Sequence, residues 1–162
     1  MTEIAYVGFD CSSKAIHGVV MDSDFNIKFQ KKWSSKVKTF EERFPEITMS
    51  FWKDMSKIFI GDSGKEKVVV AIEQAIFIQN PKTTVEIANV IGCVRMACYM
   101  RSFDVVMVDN RKWKKEILGR GNAKKQEIME YAVERLGKVF SERDFADAAC
   151  IAAWAVKERV NG

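Results

Sequence analysis

Histidine is nearly missing from this chain: among 162 residues there is one, His17. The four cysteines, Cys11, Cys93, Cys98 and Cys150, are scattered and form no Cys-x-x-Cys pair. Together these scarcities exclude a zinc site built on Cys and His. The burial-prone neighbours of the cysteines point to reduced core thiols in a cytosolic protein, not to a disulfide frame. Met1-Thr2-Glu3-Ile4 carries no basic stretch leading into an apolar one, so nothing there reads as a signal peptide. The longest apolar run, Ala148 to Val156, is far too short to span a bilayer. Repeats, low-complexity stretches and a second-domain linker are also missing, so residues 1–162 read as one domain. A strong charge of one sign is absent too. Lys plus Arg is 26 against 22 for Asp plus Glu, a net +4 that permits a polyanionic partner without demanding one.

What is present is a core and an order. Hydrophobic residues make up 48% of the chain, enough to bury a single core. Ile4–Phe9, Ala15–Met21 and Phe25–Trp33 read as three strands joined by tight turns at Ser12-Ser13-Lys14 and Asp22-Ser23-Asp24, an antiparallel meander. Thr39 with Glu42 fits a capping box, and Phe40, Phe44, Ile47, Phe51, Met55 and Ile58 recur at helical spacing. Pro45 is expected to kink or restart that helix. After a loop from Gly61 to Lys67, Val68–Ile72 is apolar at every position, as in a parallel strand buried on both faces. A helix opening at Thr83 or Thr84 runs to about Met100, with Val85, Ala88, Ile91 and Gly92 among its facing residues. Asp104–Val108 is a fifth strand. A short basic helix after Asn110, broken at Gly119-Arg120-Gly121-Asn122, precedes helices over Ala123–Leu136 and Asp144–Arg159. The order predicts an α/β protein with one mixed sheet, three antiparallel strands plus two parallel ones, flanked by helices. It is the order of the ribonuclease-H-like fold.

Four carboxylates stand out against this frame. Asp10 ends the first apolar run and Glu73 ends the fourth. Asp144 and Asp147 open a helix of small residues, where positions 144, 147, 148, 151 and 155 share a face. Each has an ordinary reading: Asp10 as a turn residue, Asp144 as part of a cap with Ser141. Asp147 is the informative one, because its face also carries Ala148, Ile151 and Ala155 and must turn inward. A carboxylate at the end of a buried strand is costly without a partner, and a helix start favours negative charge. Two Mg²⁺ ions would be such partners; Mn²⁺ is the alternative. Hard cations take oxygen ligands, and a pair of them suits phosphodiester hydrolysis.

At these residues the chain resembles the RuvC family of Holliday junction resolvases, over nearly its whole length. Gly8-Phe9-Asp10 is similar to that family's first acidic motif and Ala71-Ile72-Glu73-Gln74 to its second. Leu118-Gly119-Arg120-Gly121-Asn122-Ala123-Lys124-Lys125 resembles its glycine-bounded loop, and Asp144-x-x-Asp147-Ala148-Ala149 its terminal Asp pair. The resemblance implies metal ligation by Asp10, Glu73, Asp144 and Asp147, with Lys125 at the scissile phosphate and Lys114 on DNA nearby. It implies a homodimer that makes paired nicks in a four-way junction, leaving 5′-phosphate ends. The family's base-contacting aromatic falls near Ile76 and Phe77, shifted by one, which makes Phe77 the candidate. Cys11 stands where bacterial members tend to have proline. Short length and a loose match fit a phage-type or divergent member, working in the cytoplasm, that of the host if phage-encoded.

Two basic stretches remain. Residues 111–125 carry seven Lys and Arg against Glu116 alone, and the glycines at 119 and 121 would let backbone approach a polyanion, so Lys114, Lys115, Arg120 and Lys124 are read as DNA contacts. Residues 28–38 carry five lysines, for which a solvated face weighs about equally. Trp33 and Trp113 could stack on bases, with burial at least as good a reading. His17 reads as a plain strand residue, and the Phe40–Ile58 stripe as core or dimer surface. Rival functions are a ribonuclease-H-like nuclease for RNA–DNA hybrids or flaps, or a non-catalytic branched-DNA-binding module. A sugar-kinase or actin-like ATPase would need a second lobe that the chain lacks.

Overall fold

The computed structural model describes residues 3–58, 67–75 and 80–161. Strands β1 (Ile4–Cys11), β2 (Ala15–Met21), β3 (Ile27–Ser34), β4 (Lys67–Glu73) and β5 (Asp104–Val108) form one sheet in the order β3-β2-β1-β4-β5. The first three pair antiparallel, while β4 and β5 run parallel to β1. Helices α1 (Phe40–Ile58) and α2 (Pro81–Tyr99) cover one face. On the other face lies α5 (Arg143–Asn161), flanked by α3 (Asn110–Leu118) and α4 (Lys125–Leu136). This is the mixed five-stranded sheet that the sequence predicts.

Side chains alternate across a strand, and here the alternation divides two cores. Val7, Phe9, Ile16, Val70 and Ile72 pack under α1 and α2 with Phe51, Met55 and Val94. Tyr6, Val19, Met21, Val69, Ala71 and Val108 pack under α5. Asp10 shares the parity of Tyr6 and Gly8, Glu73 that of Val69 and Ala71, and His17 that of Val19 and Met21. All three therefore belong to the α5 side.

Helix α5 could be so apolar only because it is enclosed: Ala148 through Val156 are all buried. It lies directly on β1. A Cβ built on Gly8 would stand 2.1 Å from the Ala148 carbonyl oxygen and 2.4 Å from the Ala152 amide nitrogen. Glycine at position 8 is thus what lets the helix backbone touch the strand, and that contact sets the height of Asp144 and Asp147 above the sheet.

Several expected boundaries move. The helix expected from Thr83 or Thr84 begins at Pro81, because Asn80 caps it, accepting from the Lys82 amide at 3.0 Å, and proline is preorganised for a first turn. Of its expected facing residues only Ile91 is buried; Val85, Ala88 and Gly92 are exposed, and Val90, Val94, Ala97 and Cys98 form the inner stripe. No restart occurs at Pro45. Helix α1 runs through it, giving up only the hydrogen bond that residue 45 would have donated near the helix's first turns. Phe25 adopts φ 65°, outside strand geometry, so β3 begins at Ile27 after a turn held by Asp22, whose Oδ1 accepts from the amides of Asp24 and Asn26 at 2.9 Å. The loop expected from Gly61 lies outside the described residues except for Lys67, which opens β4.

Candidate active site

Register brings the first two carboxylates together. β1 and β4 run parallel with Phe9 beside Ile72, so the following residues, Asp10 and Glu73, leave the sheet at the same end. Asp10 also faces His17 across the antiparallel β1–β2 ladder. Glu73 sits beside Val108 of β5, and just past that strand α3 begins, capped by Asp109, which accepts from the amides of Arg111 and Lys112. This delivers Asn110 and Trp113 to Glu73: Asn110 Nδ2 donates to Glu73 Oε2 at 3.0 Å, and Trp113 Nε1 donates to the same oxygen. Trp113 is fully buried, so Glu73 is fixed by a rigid partner. The first turns of α5 then bring Asp144 and Asp147 to the same end.

The charges act on one another. The Asp10 carboxyl is pushed well above its usual range, first by burial, then by Asp147, Glu73 and Asp144, with Lys125 opposing. Asp147 is pushed up to about 6, by burial and by Glu73 and Asp144, against Lys125 and Lys114. Like charges this close, in a site that burial removes from bulk water, raise each other's proton affinity. Among the described residues none of the four carboxylates takes part in an ion pair. A cluster of four carboxylates that Lys125 and Lys114 offset without a direct ion pair among the described residues fits hard divalent cations, which would remove the mutual repulsion.

The basic candidates divide. Lys125, at the start of α4, and Lys114, on α3, are near enough to the cluster to oppose it electrostatically. Lys114 also lines a crevice of about 540 Å³ with Asn110, Arg111, Gly121, Asn122 and Ala123. Lys115, Arg120 and Lys124 are exposed. Arg120 is held by Glu127 through two contacts, of 2.6 and 2.9 Å. The glycines have structural duties: Gly119, at φ 87°, ends α3, and a Cβ on Gly121 would come within 3.0 Å of the Arg111 carbonyl oxygen. They are therefore accounted for by packing, without a polyanion. The lysine-rich β3 stretch pairs with acids, Lys28 with Asp22, Lys31 with Asp54 and Lys32 with Glu142, as a solvated face does. Trp33 is a core residue, its Nε1 donating to Asp54 at 2.9 Å, and Trp113 is likewise core, so neither is open to bases. Phe77 lies outside the described residues.

His17, a β2 residue as the sequence suggests, also stands beside the carboxylates. It is 2% exposed, its Nε2 lies 3.1 Å from Glu142 Oε2, and its ring meets Phe145 edge to face at 4.9 Å. Donor atoms of Asp10, His17 and Asp144 all lie within 4.8 Å of one another. The signal was available: a hairpin turning at Ser12-Ser13-Lys14 puts position 17 opposite position 10. The Glu73 clamp of Asn110 and Trp113 had no such signal.

The ribonuclease-H-like sheet, with acidic residues gathered where its parallel strands end, defines the structural class. Comparison with known proteins then gives the family. A family model for crossover junction endodeoxyribonuclease RuvC matches residues 47–157, well over half of the chain, and the chain belongs to the RuvC family. A curated crossover junction endodeoxyribonuclease RuvC from Brachyspira hyodysenteriae is 31% identical over 91 residues, 56% of this chain. That match spans 57% of the relative's own length. Two solved structures, Thermus thermophilus RuvC and the same protein in complex with a Holliday junction substrate, each align with 99% of this chain and 97% of theirs, at a TM-score of 0.75. Sequence identity is 17% in both, so that likeness speaks for the fold.

Proposed function

We propose that this chain is a divalent-metal-dependent endonuclease that resolves four-way DNA junctions by hydrolysing one phosphodiester in each of two opposed strands, acting as a homodimer. The observation that carries the reading is the convergence of Asp10, Glu73, Asp144 and Asp147, from three separate elements, into one partly buried cluster whose mutual repulsion Lys125 and Lys114 oppose from a distance. Membership in the RuvC family and a solved relative bound to a Holliday junction substrate supply the DNA class.

In this reading Asp10, Glu73, Asp144 and Asp147 hold two Mg²⁺ ions, with Mn²⁺ able to replace them. Bound, the ions would supply activation of the attacking water and neutralisation of charge at the leaving oxygen. The chain's own residues do the rest. Asn110 and Trp113 hold the Glu73 carboxylate in one orientation, so that little reorganisation is needed when substrate arrives. Lys125 meets the scissile phosphate and Lys114 a neighbouring one, each offering a compact charge where negative charge grows. Lys115, Arg120 and Lys124 extend the positive surface along the backbone, and Phe77 contacts junction bases. For the second copy, the exposed apolar side chains Met49, Trp52 and Met96, around the groove between α1 and α2, offer a surface of the right character.

The test is cleavage of a synthetic four-way junction beside duplex, flap and RNA–DNA hybrid substrates, with Mg²⁺ or EDTA. Paired, metal-dependent nicks in the junction alone are expected. Cleavage of hybrid or flap in preference would move the activity to another nuclease of this fold, and junction binding without any cleavage would mean a non-catalytic module.

A further inference from the structure

We propose that the imidazole of His17 is a nitrogen ligand at the carboxylate site, sharing one divalent cation with Asp10 and Asp144 and opening the site to first-row transition ions such as Mn²⁺. The inference rests on the metal-site reading above and adds to it a ligand of different chemistry.

Three observations carry it. Asp10 and His17 are direct cross-strand partners, and both have the parity that points to α5. Neighbouring side chains on one face of an antiparallel pair stand close enough to share a ligand. Second, the donor atoms of Asp10, His17 and Asp144 lie within 4.8 Å of one another. Ligands of a single cation, each at about 2.0–2.2 Å, lie at most about 4.4 Å apart, so the three have only a short way to close. Third, the ring is oriented from behind. Glu142 engages Nε2 at 3.1 Å, Lys32 Nζ holds the same Glu142 oxygen at 2.8 Å, and Phe145 packs edge-on against the ring.

That third arrangement is what a metal-binding histidine needs. Such a residue donates its second ring N–H to a carboxylate, which fixes the tautomer and makes the other nitrogen a better ligand. With Nε2–H given to Glu142, the neutral ring keeps its lone pair on Nδ1, which has no hydrogen-bond partner among the described residues. The ligand type then bears on metal choice: Mg²⁺ takes oxygen ligands and sheds water reluctantly, whereas imidazole suits transition ions.

Because His17 is the only histidine in the chain, a spectroscopic signal from a coordinated imidazole has one possible source. The experiment is pulsed electron paramagnetic resonance on tag-free protein loaded with Mn²⁺, reading ¹⁴N modulation of the bound ion, with Asp10→Asn to identify the site. Nitrogen modulation is expected in the wild type. Loss of that modulation and at least about tenfold weaker Mn²⁺ binding are expected in His17→Gln, with Mg²⁺ binding changed less. Mn²⁺ that binds in an Asp10-dependent way without nitrogen modulation would overturn the His17 assignment and leave the carboxylate site standing. Failure of the wild type to bind Mn²⁺, or binding untouched by Asp10→Asn, would overturn both.

Discussion

Asp147→Asn removes one negative charge from the cluster at nearly constant volume, and it should make the metal-free protein more stable while destroying its activity. Burial, Glu73 and Asp144 push the Asp147 carboxyl to about 6, against a usual value of 3.8. Between those values the native state binds more protons than the unfolded chain, so this group's contribution to stability falls as pH rises from about 4 to about 6. Above about 6 the full penalty is present. A gap of roughly 2 pH units corresponds to about 3 kcal/mol, and the residual solvent contact of Asp147 reduces this to about 1–2 kcal/mol. Asparagine carries no such penalty. For a chain of this size about 1–2 kcal/mol is a rise in Tm of roughly 2–8 °C. Thermal unfolding in EDTA, followed from about pH 4.5 to 8, reads the effect: the variant should melt higher near pH 7.5 and the two curves should converge near pH 4.5. Added Mg²⁺ should stabilise the wild type more than the variant, and only the wild type should cleave a junction. A variant less stable than wild type near pH 7.5, or a gap independent of pH, would refute the repulsion argument.

Gly8→Ala should cost stability, of the order of 1–3 kcal/mol, and depress cleavage, because the new methyl must push α5 and its two aspartates off β1; chemical denaturation and a junction assay check both. Trp113→Phe keeps an aromatic ring in the core but removes the donor to Glu73, so about 1–2 kcal/mol of stability should be lost together with metal affinity, which titration calorimetry measures. Lys114→Ala should weaken junction binding regardless of sequence and reduce the slope of log affinity against log salt by about 1. An unchanged slope removes Lys114 from the phosphate contacts.

The sequence by itself determined the strand and helix order, because its signals are local: short apolar runs between turn residues over β1 and β2, the unbroken apolar run Val68–Ile72 in β4 and the small residues of α5 each announce their type and burial. It also determined three of the four carboxylates' positions relative to their own elements, at strand ends and on an inward helix face. The resemblance to the RuvC family was legible because four motifs agreed in their spacing. Element starts were less legible where capping chemistry competed, as at Asn80–Pro81, or where an unforeseen positive φ cut β3 short at Phe25. Only the tertiary structure decided which side chains complete the site. Asn110 and Trp113 reach Glu73 across 37 and 40 residues of chain, and Glu142 reaches His17 across 125, separations over which no periodicity carries information. Likewise, seven basic residues in one stretch look alike in sequence, yet folding puts Lys125 and Lys114 beside the carboxylates and ties Arg120 to Glu127. The physical reason is the same in each case: composition sets what a residue can do, but electrostatics and hydrogen bonding act over a few ångströms, and only the packing of α3, α4 and α5 on the sheet brings those ångströms about.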